Sequence, residues 1–448
     1  LGPANGVSPH CDVDAAVPIT DFSTREQHCV QSINDFQLVS TAAGTLNRLA
    51  DWKKPLIQVS GCDDKTLHEC HRKQYIQWES NTLLEPDETI VMANCRHNVY
   101  DSLHKRYLKE TPSVGDLDWV LVHKIISDLT TRLKRVIEPF DADGFLLRKK
   151  GRVRSRYVKA YEQIMKTGFD INKHSKISAF VKLERYYEKG KSPRMIMGRD
   201  PRFNIAYAQI IEPIEKAFFS LDQVANACDN IDCGAKFEKL LGSWFMENDM
   251  SKFEGSQRYC ILRFEYAIYV GLFPQHRDLI TKLFAVKLLK RGHTQVGVNF
   301  DFVECRGSGD MDTSLGNGIL NYIATQYFMI KNFCADCKFS QCAEPGCKTY
   351  SFVVKGDDSY ASIPRFTRYY QNTYFNFGFD AKIIIRQTPE SVEFCSGHFV
   401  QINALDYIYV QKIKKMWTSL HTCINDDAIR NGWTAQYYYS LGMMYKKL

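Results

Sequence analysis

The stretch that most constrains the fold runs from Tyr350 to Ile363. It reads as an apolar strand, a tight turn at Gly356-Asp357-Asp358 and a returning second strand, which together predict a β-hairpin. Two adjacent carboxylates at a hairpin tip repel each other and drive one pKa up, and a tip that only turns is better served by Asn-Gly or Asp-Gly. A bound divalent cation removes that cost. The tip therefore predicts one half of a metal site.

A third carboxylate stands where another apolar strand ends. Residues 244–257 read as a strand that ends at Asp249 and then turns into a helix carrying Glu254. A carboxylate at a strand end is where an α/β sheet places ligand chemistry. Asp249 could equally be a helix cap, so this stretch alone leaves both interpretations open.

A glycine-rich loop precedes a helix that we expect to run to about Phe333. Ser308 and Gly309 in the loop could bring backbone N–H groups near a ligand. Thr313 and Asn317 lie four residues apart and share one helix face, which suits a ribose hydroxyl. The alternative, a capped helix with a flexible loop, explains the Ser and Thr residues but not Asn317.

Residues 179–204 alternate like two strands of a hairpin around Gly190. Lys182, Lys191 and Arg194 lie on its two arms and near its tip, so these side chains could converge on a polyphosphate.

A second basic stretch, residues 148–159, holds seven basic residues and no acidic one. Such a run is usually a solvated face. Because no acid is interleaved and Tyr157 and Tyr161 accompany it, we favour contact with a phosphate backbone. The candidate RNA-binding residues are Arg148, Lys149, Lys150, Arg152, Arg154 and Arg156.

Four of the fifteen cysteines lie within fourteen residues, at Cys334, Cys337, Cys342 and Cys347. The spacing is that of a zinc knuckle with Cys in place of His, which makes the segment a candidate structural Zn²⁺ site. The alternative is a set of buried free thiols, which are common. Without a secretory signal, we expect free thiols or metal ligands rather than disulfides.

Composition narrows the class of protein. A chain of 448 residues predicts two to three domains, and a net charge of +7 with 13% aromatic residues fits a protein that handles nucleic acid. The alternative is a protein that is merely modestly basic. No apolar run reaches the roughly 18 residues of a transmembrane helix, and no signal peptide is recognisable. Because the chain begins at Leu1 rather than Met, we expect a processed or excised piece.

Apolar spacing predicts several further elements. We expect helices over residues 98–108, 119–137, 204–221 and 365–377 and through the last 48 residues. A strand is expected after Gly378, and another strand or hairpin over residues 391–400.

Taken in order, these blocks resemble the palm and fingers of a viral RNA-dependent RNA polymerase, most closely those of tombusvirus-like positive-strand RNA viruses. Asp249 with Glu254, then Ser308-Gly309 with Thr313 and Asn317, then Gly356-Asp357-Asp358 resemble the first three palm motifs. The remaining matches are Lys382 after Gly378, Glu393 to Cys395, the fingers motif from Lys182 and Glu184 through Arg194 to Asn204, and the template-side motif from Lys150 to Tyr157. The resemblance covers about residues 90–400.

The resemblance implies an α+β fold of the right-hand polymerase type, with fingers, palm and thumb and an antiparallel palm sheet flanked by helices. It implies an N-terminal extension over residues 1–105 that links fingers and thumb. The fingers would span residues 106–203 and 265–306, the palm 204–264 and 307–400, and the thumb 401–448.

The implied function is replication of a positive-strand viral RNA genome by two-metal nucleotidyl transfer, with initiation that needs no primer. Asp249 and Asp357 would bridge two Mg²⁺ or Mn²⁺ ions, which are hard cations that prefer oxygen ligands, and Asp358 would support them. Lys382 would protonate the departing pyrophosphate. The triphosphate would be held by Lys182, Lys191 and Arg194, and the nucleotide contacted by Ser308, Gly309, Thr313, Asn317 and Glu254.

Glu254 departs from the family pattern, which usually has Asp at this position. One extra methylene moves the carboxylate by about 1.5 Å, which puts its partnership with Asn317 and the discrimination of sugars in question.

The implied partners are template and product RNA, nucleoside triphosphates and other viral replicase proteins. The implied location is the host cytoplasm, at membrane-associated replication complexes reached through another segment or partner. One alternative is a reverse transcriptase or DNA polymerase, which the Gly before Asp357 and the Ser-Gly-to-Asn317 pattern disfavour. Another is an inactive RNA-binding module, which would be expected to lose a metal carboxylate.

Overall fold

The structure of the chain is a computed structural model. It describes residues 56–59, 71, 75–76, 88–109, 111–240, 242, 244–333, 351–363, 371–403 and 406–423. The cluster from Cys334 to Cys347 therefore lies outside the described residues, as do residues 365–370 of one expected helix and the last 25 residues.

The described chain contains both strands and helices, as expected of a mixed α and β fold. The strands are β1 (Leu56–Val59), β2 (Tyr75–Ile76), β3 (Ile90–Val91), β4 (Ile177–Val181), β5 (Arg185–Tyr186), β6 (Met195–Arg199), β7 (Trp244–Met250), β8 (Leu289–Thr294), β9 (Val298–Val303), β10 (Ser351–Lys355), β11 (Asp358–Ile363), β12 (Ala381–Arg386), β13 (Glu393–Phe394), β14 (Gly397–Gln401), β15 (Tyr407–Gln411) and β16 (Thr422–Cys423).

The helices supply most of the residues of the largest hydrophobic core. They are α1 (Arg96–Ser102), α2 (Trp119–Lys134), α3 (Ala142–Arg148), α4 (Gly151–Thr167), α5 (Ile171–His174), α6 (Pro201–Phe219), α7 (Asn230–Glu238), α8 (Phe253–Ser256), α9 (Tyr259–Leu272), α10 (Arg277–Leu288), α11 (Thr313–Phe333), α12 (Gln371–Phe375) and α13 (Ile413–His421). A π-helical turn, Leu103–Tyr107, continues α1. No helix of the described residues combines the length and the apolar composition that crossing a membrane requires.

The larger sheet has five strands in the order β1-β9-β8-β4-β6, and only β4 and β8 run parallel. The expected hairpin around Gly190 is confirmed, because β4 and β6 pair from Ile177↔Arg199 to Val181↔Met195. Residues alternate between buried and exposed along β4, as a sheet with one covered face dictates. The buried face packs on α1 and the π-helical turn through Val99, Leu103 and Tyr107.

The second sheet has four strands in the order β10-β11-β7-β12, all antiparallel. One face packs on the main core with α2, α6, α9 and α11, to which Met246 and Phe352 belong. The other face packs on α7 and the small sheet β13-β14-β15 through Phe245 and Tyr360. Both faces of the sheet are therefore covered, one by helices and the other by α7 and the small sheet.

The expected helices from Asn98, Trp119, Asn204 and Thr313 are confirmed within a few residues. The expectation that the last 48 residues are helical is wrong for Tyr407–Gln411, which forms β15 and pairs with β14. Tyr407, Ile408 and Tyr409 are buried there, and a run of aromatic and β-branched residues suits a covered strand.

Candidate active site

The hairpin tip carries the first carboxylates. Lys355 pairs with Asp358 across the hairpin, so Gly356 and Asp357 form a two-residue turn and Asp358 is the first residue of β11. Gly356 has φ +62°, whereas no positive φ occurs at Asp357, and glycine at the first central position is the requirement of a type II′ turn. From α11, Asn321 Nδ2 donates to the backbone carbonyls of Gly356 and Asp358 at 3.1 and 3.0 Å and anchors the turn.

The sheet register brings the predicted catalytic residues into one row. Ser359 pairs with Asn248, so the next position along the antiparallel strands sets Asp358 opposite Asp249. On the far side of β7, Lys382 pairs directly with Asp249. Residues that stand opposite each other in antiparallel strands point to the same face. Asp358, Asp249 and Lys382 therefore form a row across three strands, with Asp249 and Lys382 exposed.

The carboxylates at this end repel one another. Burial raises the pKa of Asp357 to about 7, and the charges of Glu254 and Asp358 add to the rise. Burial also raises the pKa of Asp358, where a hydrogen bond from Cys395 acts in the opposite direction and Asp249 raises it further. Excess negative charge held at one place is the environment that a divalent cation relieves.

The donor set fits a hard cation, since Asp249, Asp357 and Asp358 offer only carboxylate oxygens. Mg²⁺ commonly takes one or two carboxylates from a protein and fills its shell with waters and substrate phosphates. Within the described part of the chain, no group of three or more His, Cys, Asp or Glu side chains lies close enough together to hold a metal ion.

Arg194 faces the carboxylates from the β4–β6 hairpin. Its Nε lies 3.6 Å from Glu184, and Lys182 Nζ lies 3.0 Å from the same carboxylate. Burial lowers the pKa of Arg194, but Glu184, Glu254 and Asp357 outweigh burial and raise it overall. Lys191 lies on the exposed tip, 3.7 Å from Glu188. The structure thus brings Lys182 and Arg194 together, with Lys191 farther out.

The glycine-rich loop is closed by Thr313. Its hydroxyl contacts the carbonyls of Gly307 and Asp310 at 3.0 and 2.7 Å, and the N–H of Gly309 donates to it at 3.2 Å. The carbonyl of Ser308 accepts from Met197 N–H at 2.7 Å, which ties the loop to β6. The Thr313 hydroxyl therefore serves the loop backbone, as the capped-helix alternative requires.

Asn317 keeps its partnership with Glu254. Asn317 Nδ2 lies 3.4 Å from Glu254 Oε1, which is long for a hydrogen bond. On its other side, Asn317 Oδ1 accepts from Gln257 Nε2 at 2.8 Å. Asn317 is buried, so the polar face predicted from its spacing points into a polar interior rather than open solvent.

Sequence reasoning missed several residues of the cleft beside this site. The cleft is lined by Arg106, Tyr107, Arg194, Lys252, Glu254, Gly255 and Ser308. Arg106 Nη2 donates to the carbonyl of Ser192 at 2.7 Å and so couples the π-helical turn to the hairpin. A Cβ at Gly255 would stand 1.9 Å from the carbonyl oxygen of Arg106, so only glycine fits. The glycine directly after Glu254 was the one local signal of this close approach.

A second group of charges missed by sequence reasoning is fully buried behind the loop. Arg306 pairs with Glu265 and lies 3.4 Å from Asp312, and Lys287 pairs with Asp312 and lies 3.3 Å from Glu265. Next to this set, Asp310 lies 2.7 Å from Arg199 and 3.2 Å from Lys290. We call these residues together the buried ion network: Arg199, Glu265, Lys287, Lys290, Arg306, Asp310 and Asp312.

A lysine of the C-terminal part also reaches the site. Burial lowers the pKa of Lys415 in α13, as do the neighbouring charges of Lys412 and Lys191, whereas Asp358 raises it. Its ammonium lies 5.4 Å from the ring centre of Tyr187. Its Nζ also donates to Ser396 Oγ at 2.8 Å, so Lys415 adds positive charge near Asp358 and Lys191.

The six predicted RNA-binding residues separate into two groups. Arg148 pairs with buried Glu212, and Lys149 lies 4.4 Å from the ring centre of Phe145. The other four line the exposed start of α4: Lys150, Arg152, Arg154 and Arg156.

Comparison with known proteins shows which protein family the sequence matches. The sequence matches a sequence model described as viral RNA dependent RNA polymerase over residues 73–443. The chain is similar to the RNA-directed RNA polymerases of Cymbidium ringspot virus, at 27% identity over 67% of this chain and 38% of that protein, and of Tomato bushy stunt virus (strain Cherry), at 26% over 67% and 38%. It is also similar to that of Groundnut rosette virus (strain MC1), at 28% over 43% and 25%. The chain thus spans less than half the length of these relatives.

Proposed function

The chain belongs to the viral RNA-dependent RNA polymerases, and on this premise we propose that it catalyses template-directed addition of ribonucleotides to RNA. The single observation that carries the proposal is the row of Asp358, Asp249 and Lys382 across the four-stranded sheet, with Asp357 at the adjoining turn. The row sets mutually repelling carboxylates beside a basic cleft, which suits an anionic substrate that arrives with its cations.

We assign two divalent cations, Mg²⁺ or Mn²⁺, to this end of the sheet. Asp249 and Asp357 would bridge them, and Asp358 would support them from the side. When bound, such ions stabilise the attacking 3′-hydroxyl and the leaving pyrophosphate of a nucleotidyl transfer. Lys382, directly opposite Asp249, would protonate the pyrophosphate as it leaves.

The basic side chains hold the triphosphate in this proposal. Arg194 and Lys182 share Glu184, and an incoming triphosphate would compete with that carboxylate for both cations. Lys191, from the exposed tip, would join them. The backbone at Ser308 and Gly309 would lie against the nucleotide, and Asn317 with Glu254 would contact the ribose.

The right-hand architecture follows as part of the proposal. The four-stranded antiparallel sheet would be the palm, and the five-stranded sheet would belong to the fingers. The domain limits expected from the sequence stay a prediction. The pairing of β2 with β16 joins the N-terminal and C-terminal parts of the described chain, which supports an extension that links the fingers to the thumb.

The wider setting is proposed on the same basis. The template and product would be a positive-strand viral RNA genome and its copy, initiation would need no primer, and other replicase proteins would bring the enzyme to membranes in the host cytoplasm. The Cys334 to Cys347 segment remains a candidate Zn²⁺ site. Elemental analysis of the purified chain tests this candidate, and a zinc content well below one ion per chain would contradict it.

The assay is incorporation of labelled ribonucleotides on an RNA template with Mg²⁺, comparing the wild type with Asp249→Asn. We expect a loss of about 100-fold or more, because the variant keeps the size of the side chain and loses its charge. Asp222→Asn is the matched control, since Asp222 is an exposed partner of Lys239 and is not one of the row's carboxylates. Equal incorporation by wild type and Asp249→Asn would show that the assigned carboxylate row is not the catalytic centre.

A further inference from the structure

A chain of hydrogen bonds runs from the buried ion network to the proposed ribose site. Arg306 Nε donates to Gln257 Oε1 at 2.7 Å, and Gln257 Nε2 donates to Asn317 Oδ1 at 2.8 Å. Asn317 Nδ2 then faces Glu254 Oε1 at 3.4 Å. Gln257 and Arg306 are fully buried, whereas Glu254 lines the cleft together with Arg194.

The chemistry of the two ends fixes the orientation of both amides. A guanidinium only donates, so the group of Gln257 that faces Arg306 has to be its oxygen. The Gln257 nitrogen then faces Asn317, whose own oxygen has to accept. A carboxylate only accepts, which independently requires the nitrogen of Asn317 on the side of Glu254. All four groups therefore satisfy one another in a single direction.

Arg306 cannot turn away from this chain. Its guanidinium also pairs with Glu265 and donates to the carbonyl of Asp312 at 3.2 Å, and none of the side chain is exposed. Reversing the Gln257 amide would point two N–H groups at each other beside a buried cation. A buried polar group without a partner costs about 1–3 kcal/mol, so the observed orientation is strongly preferred.

We propose that Gln257 is a positioning residue that selects ribonucleotides, because it holds Asn317 with its N–H group, not its carbonyl, towards the cleft. The inference rests on the proposed polymerase function. An N–H group at this place recognises a sugar whose 2′ substituent accepts a hydrogen bond. A 2′-hydroxyl and a 2′-fluorine offer an acceptor, and a 2′-hydrogen does not.

The first measurement needs no variant. We expect the wild type to use ATP best, 2′-fluoro-2′-deoxy-ATP next and 2′-deoxy-ATP least, judged by kcat/KM. If 2′-deoxy-ATP and 2′-fluoro-2′-deoxy-ATP were used equally, the 2′ acceptor would have no role and the inference would be overturned.

The second measurement uses Gln257→Glu, which keeps the acceptor for Arg306 and replaces the donor to Asn317 by an acceptor. Asn317 is then expected to turn its N–H group towards residue 257 and its carbonyl towards the cleft. The preference for ATP over 2′-deoxy-ATP should fall about tenfold, with a larger change in KM than in kcat. In Gln257→Met, whose side chain has neither a donor nor the acceptor, the preference for ATP over 2′-deoxy-ATP should fall by a smaller factor.

The control is Tyr266→Phe. It removes the buried hydrogen bond between Tyr266 in α9 and Thr281 in α10, and neither residue lines the cleft. Its sugar preference should match that of the wild type. If both Gln257 variants lose activity equally on all three nucleotides, as a damaged fold would, Gln257 has no part in selection. A wild type that incorporates no nucleotide would instead contradict the proposed function itself.

Discussion

Two neighbouring regions handle charge in opposite ways. At the turn end of the four-stranded sheet, burial and mutual repulsion raise the pKa of Asp357 and Asp358. In the buried ion network, Asp310 and Asp312 meet cations at close range, and the pKa of each carboxyl is lowered despite burial. Repelling charges that a fold maintains point to a functional site, whereas paired charges secure the structure. The difference separates the proposed metal-binding carboxylates from the residues that hold the glycine-rich loop in place.

The largest effect on stability is expected from Arg306→Met, which opens the buried ion network. Glu265 and Asp312 would each lose a buried cationic partner, and breaking a buried pair from one side costs about 3–5 kcal/mol. The free energy of unfolding from denaturant titration measures this. Lys239→Met, which removes an exposed pair with Asp222, should cost less than about 1 kcal/mol. Equal losses of unfolding free energy in the two variants would mean that the buried pairs of Arg306 stabilise the fold no more than the exposed pair of Lys239 does.

The network should also respond to acid in a defined direction. Burial raises the pKa of Asp310, but Lys290 and Arg199 outweigh burial and lower it overall. A carboxyl whose folded pKa is depressed contributes stability above its unfolded pKa of about 3.9 and loses it as the pH falls through the folded pKa. Asp310→Asn should therefore be much less stable than wild type at pH 7, with a gap that narrows below about pH 4. A gap that stays constant from pH 7 to pH 3 would contradict this pairing.

The smallest effects are expected on the exposed face of α4. Replacing Arg152, Arg154 or Arg156 by Gln should weaken RNA binding. The slope of log K against log[salt] should become shallower by about 0.7 for each phosphate that the variant no longer neutralises. Arg148→Gln is the matched control, because Arg148 pairs with buried Glu212 and should act on stability rather than on binding. Filter binding at several salt concentrations measures this slope. If all four variants gave the same slope, Arg152, Arg154 and Arg156 would not differ from Arg148 in contacting RNA.

Local patterns predicted much of the site. The turn at Gly356, the strand that ends near Asp249 and the helix with Asn317 follow from turn chemistry and residue spacing, which act over a few positions. The sequence also pointed to the position where Glu replaces Asp, and the structure keeps Glu254 near Asn317 at a long 3.4 Å.

What the sequence did not reveal depends on tertiary contacts. Arg306 and Glu265 are far apart in the chain, and nothing local shows that both are buried in one network. The same holds for Arg106 at the cleft and for Asn321 beneath the turn. The strand β15 was mistaken for helix because its partner strand, rather than its own periodicity, decides its conformation.

The most direct test measures activity and stability together in Asp357→Asn. The variant removes a partly buried carboxylate that Glu254 and Asp358 repel, so its melting temperature without divalent cation should equal or exceed that of the wild type. Incorporation of ribonucleotides with Mg²⁺ should fall about 100-fold or more. A variant that keeps wild-type incorporation, or that melts far below the wild type as expected of Arg306→Met, would contradict the division between reacting and structural charges.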